Sequence, residues 1–188
     1  MFYFERLGPG RFRASENVGG AWNVTEQHIA PALGLIAHAI EQDHAARRPD
    51  RLRIARLSYD ILGTLPIDAV EIEVSVLRPG RTIELLEARL SHGGRVAVTA
   101  RAWLLQAFDT AALAGSAFAA IPPPEAMAPW HGHEVWPGGF VRSVEVRRTE
   151  LAKGRAASWV RSDLALVAGE SVSATAHALG IVDIANGL

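Results

Sequence analysis

A few side chains in this sequence have types and settings suited to chemistry. Asp183 stands in ALGIVDIANGL (178–188), a stretch that is otherwise mostly apolar. A carboxylate in such a setting costs several kcal/mol unless it is hydrated or hydrogen-bonded, so Asp183 is the first candidate for a working acid. Gln27 and His28 stand immediately before an apolar helical stretch. Backbone N–H groups at such a helix start are free to face a carbonyl oxygen or a phosphate. Tyr59 precedes the turn out of a strand and is a candidate to line a groove. His131 and His133 in HGHEVWPGG are metal-compatible in type, but no third ligand stands at a convincing spacing, so no metal is expected. GPGR and GGR read as hairpin turns, since no P-loop lysine pattern follows either.

The chain that must position these groups has 188 residues, 49% hydrophobic and 21% charged, with a formal net charge of −1. That is an ordinary globular composition, sufficient for one good core or two small ones. The near-zero charge gives no electrostatic footprint for nucleic acid or an anionic membrane. There is no cysteine, so disulfides and thiolate metal sites are excluded, which fits a reducing, cytoplasmic setting. MFYFERLGPG lacks a basic segment followed by an apolar one, so no secretory signal is expected, and no apolar run reaches the ~18 residues of a spanning helix.

Turn residues and hydrophobic period divide the chain. FYFERL (2–7) and RFRAS (11–15), separated by GPG, predict a hairpin. NVGGAWN (17–23) is a loop. An apolar helix is predicted over 29–46, with Pro31 in its first turn and Arg47, Arg48 and Pro49 closing it. Four long strands follow, at 51–61, 67–77, 81–91 and 96–108. The second alternates most cleanly, with Val70, Ile72, Val74 and Val76 against Glu71 and Glu73. Residues 109–138 are Ala- and Pro-rich and read as a linker that packs through its tryptophans.

The opening then recurs. LGPGRFRAS (7–15) is matched by LAKGRAASW (151–159), and ALGLIAHAIEQ (32–42) by ALGIVDIANGL, at nearly equal offsets. FVRSVEVRR (140–148) is predicted as a strand, WVRSDLALV (159–167) as a longer one, and 178–188 as a second helix. This ordered recurrence points to a duplicated unit. Ile29, Leu33, Ile36 and Ile40 stripe the first helix, and Leu35, Ala32, Ala37 and Ala39 cover much of the remainder. A helix apolar nearly all round must be wrapped, and a curved antiparallel sheet does that, giving an α+β fold.

The phrase ILGTLPIDAVEIEVSVLRPGRTIELLEARLSHGGRVAVTARAWL (61–104), following such a helix, resembles the first hotdog domain of TesB-like acyl-CoA thioesterases. The resemblance covers 1–108 and continues over 139–188. It implies a double hotdog: a complete unit at 1–108, a linker at 109–138, and the start of a second unit at 139–188. It implies hydrolysis of a fatty acyl-CoA, no cofactor, and a place in lipid metabolism. By resemblance, Asp183 falls where the second helix carries the acid that directs the attacking water, whereas Ala37 occupies the matching place in the first copy. Gln27, His28 and Tyr59 become candidate substrate contacts, with the N–H groups before the helix facing the thioester oxygen or a CoA phosphate. Many relatives carry Gly-Gly after this histidine, where this chain has Ile29 and Ala30.

The second helix has no strands after it in this chain, and burial of each large apolar side chain is worth ~1.5–3 kcal/mol. A fragment is therefore expected, with a homo-oligomer or a C-terminal part supplying the missing strands. Two further functions compete: a non-catalytic hotdog module that binds acyl-CoA or mediates assembly, and a hydratase or dehydratase. The last requires a histidine and an acid facing one groove, a pair the sequence alone does not place.

Overall fold

The computed structural model describes residues 1–185. Its regular elements are, in order, β1 (Phe2–Gly8), β2 (Arg11–Ala14), α1 (Ile29–Arg47), β3 (Arg53–Ile61), β4 (Ala69–Arg78), β5 (Ile83–His92) and β6 (Arg95–Leu105). There follow β7 (Ala128–Trp130), α2 (Gly139–Arg142), β8 (Glu145–Ala152), β9 (Arg155–Arg161), β10 (Ala165–Val167) and α3 (Ala174–Leu179).

One sheet has the order β10-β1-β2-β4-β5-β6-β3, antiparallel except that β10 runs parallel to β1. The alternation of β4 places Val70 and Ile72 in the core and turns Glu73 and Ser75 outward. Register pairs Leu86 with Ala102 and Ala88 with Ala100, so each row facing α1 includes a small residue. These alanines are fully buried and let the sheet close on Leu33, Ile36, Ala37 and Ile40 of the helix. A sheet wrapped about one apolar helix is the α+β arrangement expected from the residues, and it agrees with the hotdog that the resemblance implies.

The boundaries of α1 have local causes. The His28 ring accepts a hydrogen bond from the Ala30 N–H at 3.2 Å, an N-cap made with an imidazole nitrogen. Pro31 sits in the first turn, where no intrahelical partner exists for an N–H. At the other end His44 is buried, donating from Nδ1 to Glu84 at 2.7 Å and accepting the Leu52 N–H on Nε2 at 3.0 Å. Arg47 adds a bond to Glu84 at 2.9 Å, so an inward-pointing carboxylate is paired and closes the helix.

The side of α1 that the sheet leaves open is covered by α3. Gly34 makes this possible: a Cβ there would lie 2.6 Å from the Ala176 carbonyl oxygen and 2.7 Å from the Gly180 backbone. Glu170, in the turn before α3, fastens the cover. It accepts from Arg6 at 2.5 and 2.9 Å, pairs with His38 Nε2 at 2.9 Å and accepts from Gln42 at 3.1 Å.

The structure departs from the sequence-based expectations in three places after residue 138. FVRSVEVRR opens as the single turn α2, because Gly139 and Phe140 pack under the loop at 16–19 before β8 begins. WVRSDLALV is not one strand. β9 ends at Arg161, and β10 resumes in the other sheet beside β1. The crossing is fixed by buried Ser162, whose Oγ donates to the Ser143 carbonyl at 3.0 Å and lies 2.9 Å from the Tyr3 hydroxyl. The helix lies earlier than ALGIVDIANGL. α3 is N-capped by Ser173 and ends at Gly180, and 182–185 form a 3-10 turn. The expected helical continuation through 186–188 lies outside the described residues.

Candidate active site

A cleft of about 540 Å³ opens at the N-terminal end of α1. Its walls are the loop running into the helix (Gly20 to Ile29), the loop leaving β3 (Ile61 to Leu65), and Asp183. Both loops are held by backbone bonds. The Gly20 N–H donates to Glu26 O at 2.8 Å, His28 N–H to Val18 O at 2.7 Å, Gln27 N–H to Leu65 O at 2.8 Å, and Leu62 N–H to Ala97 O at 2.8 Å. Thr64 Oγ1 donates to Glu26 across the gap at 3.0 Å.

Three of the four residues singled out from the sequence therefore meet. Asp183 enters from the 3-10 turn at 182–185 and is half-buried; burial raises its carboxyl above the ordinary range. His28 lies with its ring stacked on Phe140, centroids 4.0 Å apart and planes 23° from parallel. Burial disfavours the imidazolium and brings its pKa down to about 4, so the ring is neutral at physiological pH. Gln27 donates from Nε2 to the Pro66 carbonyl at 2.7 Å, and its buried Oε1 has no partner among the described residues.

Tyr59 is placed elsewhere. Its hydroxyl donates to the Leu33 carbonyl at 2.9 Å, so it braces α1 against β3 and does not line the cleft. Most of the backbone N–H groups around the helix start are committed within the fold. Those of Gln27 and His28 bond to Leu65 and Val18, and that of Ala30 is capped by His28 itself. The N–H of Ile29, a residue that lines the cleft, has no hydrogen-bond partner among the described residues, and side chains make up the other polar groups. His131 and His133 stack edge to face 5.8 Å apart, and no group of three or more potential metal ligands gathers among the described residues.

Sequence reading missed the apolar mouth. Trp22 is 76% exposed, and Ile61 and Leu62 are more than half exposed, yet all three line the cleft. The available signal was NVGGAWN paired with WPGGF. A Cβ on Gly138, whose φ is +118°, would lie 2.5 Å from Gly19 O and 2.6 Å from Gly20 O, so the two glycine pairs pack backbone to backbone. That contact brings Trp136 to 5.1 Å from Trp22 and sets Phe140 behind His28. The lining carries Glu26 and Asp183 and, among the described residues, no Lys or Arg. A second concavity of about 340 Å³, between the β8–β9 ribbon and Pro124, is lined by Arg147, Arg161, Glu145 and Trp159. The two arginines there are already paired with Glu145.

Residues 18–105 match the acyl-CoA thioesterase N-terminal domain. Among solved structures, a candidate thioesterase from Novosphingobium aromaticivorans superposes with a TM-score of 0.71 at 16% identity, covering 98% of this chain and 74% of that one. A hot dog fold protein of unknown function from Alicyclobacillus acidocaldarius gives 0.66 at 14% identity, over 96% and 66%. A TesB protein from Mycobacterium avium subspecies paratuberculosis gives 0.62 at 16%, over 98% and 65%. At such identities these likenesses establish the hotdog fold. The chain spans about two thirds to three quarters of the length of these relatives. No curated protein matches the chain, and no helix among the described residues is long and apolar enough to cross a membrane.

Proposed function

We propose that this chain, whose residues 18–105 match the acyl-CoA thioesterase N-terminal domain, hydrolyses the thioester of a fatty acyl-CoA, with Asp183 directing the water. The observation that carries this reading is that Asp183, distant in sequence, shares one cleft with Gln27 and His28. The acyl chain lies against Trp22, Ile29, Ile61, Leu62 and Leu65, the apolar part of the lining. Residues 139–185 are read as the opening of a second hotdog unit, of which Asp183 is the contribution to the cleft.

The chemistry balances with one proton in transit. The Asp183 carboxylate takes a proton from water as the hydroxyl oxygen bonds to the thioester carbon. The tetrahedral intermediate collapses with loss of the sulfur, which receives that proton from Asp183 and leaves as the free thiol. A carboxyl raised by burial is a better base than a solvated one.

Thiol release from an acyl-CoA series, measured for the protein and for Asp183→Asn, tests this. General-base assistance is worth ~10²–10⁴ in rate, so a loss of that order in kcat at little-changed KM is expected. Equal rates for the two proteins would end the catalytic assignment and leave a binding module.

The pairing of His28 and Asp183 in one cleft favours a second reading, addition of water to an α,β-unsaturated acyl thioester. Here Asp183 takes the proton of a water that adds at Cβ and returns it to Cα. An enoyl thioester separates the two: hydrolysis frees thiol with the double bond intact, and hydration removes the double bond with the thioester intact.

A further inference from the structure

The imidazole of His28 has one polar atom not committed to the fold. Its Nδ1 accepts the Ala30 N–H at 3.2 Å. In a neutral ring a nitrogen that accepts cannot carry the proton, so the proton resides on Nε2. The tautomer follows from the capping bond alone. One face of the ring lies on Phe140 at 4.0 Å, which fixes its plane. The ring also lines both the main cleft and the small aromatic recess behind it formed by Trp22, Trp130, Trp136 and Val141. Among the described residues Nε2 makes no hydrogen bond and no ion pair, with Asp183 or any other group. Nor is it among the fully enclosed unpartnered atoms, unlike Gln27 Oε1.

Resting on the thioester reading above, we infer that His28 is a catalytic residue whose Nε2–H donates to the substrate's carbonyl oxygen and stabilises the oxyanion as water adds. Three of the N–H groups around the helix start are committed, Gln27 and His28 to neighbouring carbonyls and Ala30 to the imidazole, which leaves that of Ile29 to act beside the ring. The histidine thus takes up the donor of its own helix and presents a replacement about one ring further out. Because the ring stays neutral, the donor is present without placing a cation beside Asp183, where an ion pair would lower the base strength of the carboxylate. A preorganised donor aimed at developing charge is among the larger single contributions to catalysis.

Two substitutions divide the roles of the ring. In His28→Asn the side-chain oxygen stands near the place of Nδ1, so the cap on Ala30 is kept and the outer donor is lost. In His28→Gln the amide nitrogen reaches toward the place of Nε2, so the donor is kept and the cap is lost. The probe is an acyl-CoA ketone analogue, with CH₂ in place of sulfur, whose bound carbonyl stretch is read by infrared difference spectroscopy beside the hydrolysis rate of the parent thioester. The expected result is a lowered stretch in the wild type and in His28→Gln, an unshifted one in His28→Asn, and a kcat loss of ~10²–10³ for Asn that Gln restores in part. Imidazole ¹⁵N shifts of the free protein report Nε2–H at neutral pH. An analogue that binds with the same stretch in all three, or an Nδ1–H tautomer, overturns the donor role while leaving Asp183 untouched. An analogue that binds to none of them overturns both assignments.

Discussion

Gly34 and Ala176 bring α1 and α3 into backbone contact, leaving 2.6 Å between the Ala176 carbonyl oxygen and the place a Cβ on Gly34 would take. No real side chain occupies such a gap, and the neighbour is backbone, which cannot swing aside. Gly34→Ala gains up to about 1 kcal/mol in helix propensity and loses about 1–3 kcal/mol to overpacking. Net destabilisation and an outward shift of α3 are expected, carrying the 182–185 turn and Asp183 with it. Denaturation curves together with hydrogen exchange at 174–185 check this; a variant with full protection there shows that α3 sits less tightly than the contact requires.

The Glu170 clasp makes acid stability predictable in sign. Arg6, first, and then His38 and Gln42 hold the Glu170 carboxyl at about 2, against an ordinary 4.5. A folded-state pKa below the unfolded value stabilises above the unfolded pKa and is lost as pH falls through the folded one. The contribution, of order 2 kcal/mol with both partners partly screened by solvent, should therefore be full above pH 4.5 and fade toward pH 2. Glu170→Gln should lower stability at pH 7 and remove that stretch of acid sensitivity. Urea midpoints at pH 7, 4 and 3 for the two proteins measure the difference.

The rate of thioester cleavage should fall on the acid side as Asp183 is protonated. Burial raises that carboxyl, so the limb of kcat/KM is expected above the usual carboxylate range and should vanish in Asp183→Asn. His28, at about 4, adds no inflection near the ordinary histidine value of 6.5. A single limb centred on 6.5 that survives Asp183→Asn counts against both assignments.

Trp22 is exposed at the cleft mouth, where its ring adds apolar surface without supporting the core. Trp22→Ala should leave the melting temperature within a degree or two. It should raise KM for octanoyl-CoA about three- to tenfold while sparing acetyl-CoA, since only the longer chain covers the indole. An equal effect on both substrates would move the acyl chain to another wall.

The elements written in short-range pattern were legible before any coordinates. The hairpin of β1 and β2, the limits of α1, and the four long strands follow from alternation, Gly and Pro punctuation, and a proline in a first turn, all of which act within a few residues. The apolar circumference of α1 likewise announced that it would be wrapped. Asp183 was recognisable as a candidate because it is a carboxylate in an apolar stretch, and Gln27 and His28 because they stand just before an apolar helix. Their meeting was not, because it depends on Gly34 admitting α3, on Glu170 reaching Arg6, and on two glycine pairs packing across more than a hundred residues.

The same distinction explains what reading by pattern misplaced. WVRSDLALV has the composition of one strand, yet Ser162 bonds to Ser143 and Tyr3 and turns the chain from one sheet to the other. Tyr59 looked available until its hydroxyl was found on Leu33. Sequence alone determined which segments are strand and helix and which residues are chemically conspicuous, because propensity and period are local. The tertiary structure decided which hydrogen-bonding groups are already spent and which remain free at the cleft, because that depends on contacts between segments far apart in the chain.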